Sequence, residues 1–184
     1  NLAEWYRYTG DLAYLRHHAD YLAKTFDHVL TGFDETGAWT AGNFLDWPTK
    51  HNDAAATAGT QGLALLTMRE TEYLAGELGD AALAEKARAA AARLAALRPE
   101  PNGEKSAAAL LALSGLREPK EMFADVLGRK GLANVSTFYG YYMIEAMSLS
   151  GETQHGLDTV RGYWGAMLDV GATSFWEDFK VMEK

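Results

Sequence analysis

The sequence predicts an all-α protein built from antiparallel helical hairpins, on three observations. Apolar residues recur at helical spacing through most of the chain. Helices end in glycine, and in "YTGD", "LGDA" and "LSGE" an acid follows at once. Gly79, Gly115 and Gly151 are evenly spaced, 36 residues apart by subtraction. Glycine takes the left-handed conformation that ends a helix, and an acid suits the positive end of the next helix dipole. Gly10 to Gly79 is 69 residues, about one such unit plus a long inserted loop. The pattern is a repeated antiparallel helix pair.

Taken in order, the periodicity predicts helices at about 2–9, 11–30, 53–78, 80–97, 103–114, 119–129, 136–150 and 153–169. "NLAEWYRYTG" has no capping residue ahead of it and reads like the back half of a helix, cut from something longer. "DAALAEKARAAAARLAALR" is the clearest helix, because Ala, Leu, Glu, Lys and Arg are strong helix formers. It is expected on the outside of the fold. In "STFYGYYMIEAM" most of Phe138, Tyr139, Tyr141 and Tyr142 are expected in the core, with room for one tyrosine to reach the surface.

Antiparallel helices alternate direction, so every second connection lies at the same end. The glycine turns at 10, 79, 115 and 151 share one end; the connections at 31–52, 98–102, 130–135 and 170 onward share the other. Two of the latter, "GAWTAGNFLDWP" and "GATSFWEDF", are rich in aromatics and acids. Loops at one end of a rigid scaffold are where sites are built.

Composition bounds the chemistry. The chain has 184 residues, enough for one sizeable core, and 48% hydrophobic with 23% charged residues is ordinary for a globular domain. A net charge of -8 argues against nucleic acid as a partner, since phosphate binding needs clustered Lys and Arg. No apolar run approaches the roughly 20 residues of a membrane span. The absence of cysteine excludes disulfides and thiol chemistry and leaves the compartment open. His51 has no second His or Cys at metal spacing, and His17 and His18, being adjacent, cannot share a helix face. No phosphate loop, dinucleotide fingerprint or nucleophile elbow occurs, so neither a cofactor nor a metal is expected.

Two stretches carry candidate chemistry. Glu177, between Trp176 and Phe179, reads as a general base beside an aromatic wall that can face a sugar, or else as a carboxylate that caps the next helix or pairs with Lys180. In "FLDWPT", Asp46 and Trp47 suit a sugar's hydroxyls and apolar face. The same stretch also reads as a structural turn stopped by Pro48, with Trp47 plugging the core.

The segments "FLDWPT", "AGTQGLALLTM", "STFYGYYMIEAMSLSGE" and "VRGYWGAMLDVGATSFWEDF" resemble, in the same order, bacterial α-L-rhamnosidases of glycoside hydrolase family 78. The resemblance runs through essentially the whole chain, and "YWGAMLDVGATSFWE" is its most specific part. It implies a six-hairpin (α/α)6 barrel, inverting hydrolysis of terminal α-L-rhamnosides, and Glu177 as the base that activates water. Trp176, Asp46 and Trp47 match positions near the sugar pocket. Other readings within the fold are a hydrolase for another deoxy or uronic sugar, and a barrel that only binds carbohydrate.

The departures from the family are specific. Its general acid belongs to an Arg- and acid-rich motif upstream of the matched region, with no equivalent here. After the Glu the family commonly has Arg-Trp-Asp, where this chain has Asp178, Phe179 and Lys180. A pocket histidine expected further on would lie beyond Lys184. The helix pairs are too few to close six hairpins, so the chain is expected to be the C-terminal part of a catalytic barrel, inactive alone. Its open inner helices would associate with the rest of that domain or with a second copy.

Overall fold

The computed structural model describes residues 2–42, 44–177 and 179–180. Among them the regular structure is helical, apart from one isolated antiparallel bridge between Phe33 and Trp39. No helix among them is long and apolar enough to cross a membrane. The helices are α1 (Leu2–Thr9), α2 (Leu12–His17), α3 (Ala19–Leu30), α4 (Asp53–Leu78), α5 (Ala81–Leu94), α6 (Lys105–Leu113), α7 (Pro119–Met122), α8 (Gly140–Leu149) and α9 (Thr153–Asp169). The chain divides into two compact units, Asn1–Ala41 with Ala64–Leu97 and Gly42–Leu63 with Arg98–Lys184, the division falling inside α4.

The predicted glycine turns are present. Gly10, Gly79, Gly115 and Gly151 have φ of 64°, 75°, 68° and 92°, a region that side chains with a Cβ rarely enter. The acids behind them behave differently. Asp11 and Asp80 cap α2 and α5 by accepting the N–H of Tyr14 (3.0 Å) and Leu83 (2.9 Å). Glu152 makes no side-chain cap; its own N–H closes α8 on the Met147 carbonyl at 2.9 Å.

In the first unit, α1 to α3 pack with the second half of α4. Ala3, Leu15 and Leu74 are buried, with Leu2, Tyr6, Leu12, Leu22, Tyr73 and Leu78 packed against them. Arg7 pairs with Glu70 at 2.6 Å, its guanidinium 4.6 Å from the Tyr73 ring. The helix expected over 11–30 is instead two helices with a bend at His18, whose ring lies 4.4 Å from Tyr14. The 31–52 connection also divides. Trp39 packs on Phe33 at 5.1 Å and over Gly32, where an added Cβ would lie 2.3 Å from its ring.

In the second unit α6 is buried from Lys105 to Ala112; it packs on α8, and α8 packs on α9. The first half of α4 approaches α6 so closely that a Cβ on Gly62 would sit 2.9 Å from the Leu110 carbonyl carbon and oxygen. Further along, α7 runs into a π-helical turn, Phe123–Leu127, where the Gly128 N–H reaches the Phe123 carbonyl at 2.9 Å. α8 begins at Gly140, not 136, because Ser136 forms its own turn. Its carbonyl takes the Gly140 N–H (2.9 Å) and its hydroxyl the Tyr139 N–H (3.3 Å).

Candidate active site

The segment that carries Asp46 and Trp47 is fixed by its neighbours in sequence. Leu45 is buried against Gly59 of α4, where an added Cβ would lie 2.2 Å from Leu45 Cδ2. Burying such a side chain stabilises the fold by about 1.5–3 kcal/mol. Asp46 follows as the cap of the 3-10 turn Trp47–Thr49, its N–H donating to Thr49 Oγ1 at 3.1 Å. Asp46 is itself only 5% exposed. One carboxylate oxygen accepts the Trp47 N–H (2.8 Å) and the other the Ser136 hydroxyl (2.7 Å). The reading of "FLDWPT" as a structural turn therefore holds for Asp46. It fails for Trp47, which does not plug the core but is 46% exposed, with Phe44 edge-on at 5.3 Å.

Glu177 is exposed, and Trp47 Nε1 donates to its Oε1 at 3.3 Å, joining residues 130 apart in sequence. No ion pair joins it to Lys180 among the described residues. The backbone beside it is held from two sides. Thr137 Oγ1 donates to the Trp176 carbonyl. Phe179 packs 5.5 Å from the Trp176 ring and 5.9 Å from Tyr163, a fully buried residue of α9. Asp178 lies outside the described residues.

The structure thus brings Trp47 and Glu177 into contact, leaves Trp176, the residue before Glu177, 40% exposed, and ties the Asp46 carboxylate to the Trp47 N–H. Two residues the sequence reading passed over tie these loops together, Ser136 to Asp46 and Thr137 to Trp176. Their signal was a Ser-Thr pair just ahead of a helix, a common capping pattern. Behind them Tyr139 is buried, and that burial, followed by the charges of Asp46 and Tyr142, pushes its hydroxyl up to about 12. The expectation that most of the four nearby aromatics lie in the core, with one tyrosine reaching the surface, is corrected: Tyr141 is exposed, and so is Phe138, which precedes α8. With Phe44 and Phe175 they give this unit further exposed aromatic faces. No three His, Cys, Asp or Glu converge as a metal-binding group among the described residues.

This all-helical arrangement has counterparts among solved structures. The chain is similar to a rhamnosidase from Klebsiella oxytoca with rhamnose bound, with a TM-score of 0.82 and 21% identity, covering 97% of this chain and 39% of that one. It is also similar to a GH78 family rhamnosidase of Bacillus sp. GL1, with a TM-score of 0.76 and 21% identity, covering 95% of this chain and 21% of that one. The chain has a GH78-like fold and spans less than half the length of either protein. No family model and no curated protein matches the sequence.

Proposed function

We propose that this chain is the C-terminal part of the catalytic domain of an inverting glycoside hydrolase acting on terminal α-L-rhamnosides, with Glu177 as general base. The observation that carries the proposal is the Trp47 indole to Glu177 carboxylate hydrogen bond, set in a GH78-like fold. Trp47 fixes one oxygen of the carboxylate, leaving the other to take a proton from water as that water attacks the anomeric carbon. The exposed rings of Trp47 and Trp176 supply apolar faces for the sugar, and rhamnose, with its methyl group, offers more apolar surface than most. Asp46, whose two oxygens already accept hydrogen bonds, is a positioning residue that holds Trp47.

An inverting mechanism needs an acid about 6.5–9.5 Å from the base, across the scissile bond. That acid belongs to polypeptide upstream of this chain. Helix α9 exposes Leu157, Val160 and Leu168, with Leu149 and Val170 at its flanks, an apolar surface suited to the remaining hairpins of the domain.

The test is hydrolysis of an α-L-rhamnoside by the parent polypeptide with Glu177 and with Glu177→Gln. Loss of a general base is expected to lower kcat by about 10²–10⁴ with folding intact. An active parent indifferent to the substitution would remove Glu177 from the role. A parent inert on rhamnosides that cleaves another deoxy or uronic sugar would change the substrate, and one that only binds would make it a carbohydrate-binding barrel.

A further inference from the structure

A cavity of about 150 Å³ opens at the start of α6, lined by residues including Lys105, Asp125, Arg129, Lys130 and Asn134. It shares no lining residue with the Trp47–Glu177 site.

The charge inside this cavity is unbalanced. Lys105 is 3% exposed, and its ammonium donates to the Gly131 carbonyl. No carboxylate pairs with it among the described residues. Burial, then the neighbouring Lys130 charge, push Lys105 down to about 8. Arg129, exposed at the mouth, divides its donors between the Ala124 carbonyl (2.7 Å) and Asp125 (3.5 Å). Three cations thus face one carboxylate, an excess of two positive charges. Glu104 is not part of the lining; it keeps its charge while accepting from the amides of Asn52 (3.3 Å) and Asn134 (3.0 Å), and among the described residues it makes no ion pair with Lys105. Lys105 is also the first residue of α6, at the positive end of the helix dipole, where a cation is disfavoured.

A buried cation normally has an anionic partner, since desolvating it alone is costly. We propose that this cavity is a binding site for a compact phosphate-type dianion, held by Lys105 from within and by Lys130 and Arg129 at the mouth. The two excess charges of the lining match a dianion. A single ligand would supply the missing counter-charge of Lys105 and relieve its repulsion with Lys130.

The test is calorimetric titration of the protein with inorganic phosphate, ionic strength held constant with sodium chloride. One saturable site is expected, with chloride alone giving none. Lys105→Met should weaken binding at least tenfold. Lys130→Asn should weaken it severalfold without backbone strain, since Asn tolerates the left-handed φ of 56° at that position. It also keeps a readout available should Lys105→Met fail to fold. No saturable binding, or the same affinity in wild type and a folded variant, overturns the site. A phosphomonoester binding more tightly than inorganic phosphate upholds it and assigns a phosphorylated metabolite as ligand; weaker binding upholds it for free phosphate.

Discussion

Asp46 and Glu177 are both carboxylates of the candidate site, and their surroundings give them different work. Asp46 is buried and hydrogen-bonded on both oxygens; Glu177 is exposed and anchored through one. Removing the Ser136 hydroxyl leaves a buried carboxylate oxygen short of a donor. Ser136→Ala is therefore expected to destabilise the protein by about 1–3 kcal/mol, read by urea denaturation. Asp46→Asn deletes the anion that helps raise Tyr139. In an alkaline absorbance titration that tyrosine should then ionise below about 12, yet still above its ordinary value, because burial is the larger cause. The sequence exposed the identities of these residues but not their division of labour. One carboxylate beside one tryptophan looks alike whether it is buried or open, and only the 90-residue bridge from Ser136 to Asp46 tells them apart.

Helices α1, α4 and α9 have the bounds their periodicity predicted, since apolar spacing marks each and a glycine of positive φ, Gly10, Gly79 or Gly171, follows its end. The misses lie where tertiary contact or local side-chain bonding overrides propensity. The bend at His18, the π-helical turn after Met122 and the late start of α8 leave no mark on the apolar period. The contact of α4 with α6 depends on Gly62 being bare. A methyl there meets the backbone of Leu110, which has no rotamer to escape into. Gly62→Ala is expected to cost about 1–3 kcal/mol despite the better helix propensity of alanine, visible as a lowered Tm.

For the whole molecule, Lys105 and Tyr139 shape stability in alkaline solution. Between pH 8 and 10.5 the unfolded chain holds a Lys105 proton that the folded chain has released, so stability rises with pH. Between pH 10 and 12 the folded chain keeps a Tyr139 proton that the unfolded chain has lost, so stability falls. Urea midpoints measured from pH 7 to 12 should show less of the rise in Lys105→Met and less of the fall in Tyr139→Phe. Neither effect was legible in the sequence, where Lys105 opens a helix and Tyr139 is one of four clustered aromatics. Burial is a property of the finished fold.

Ser136 and Thr137 are successive residues, and each grips a different loop of the candidate site. The two loops are thereby geared through one peptide unit, so an excursion of either tugs the other. In the proposed hydrolase, entry and exit of the sugar would then proceed as a concerted opening whose rate would set a ceiling on turnover.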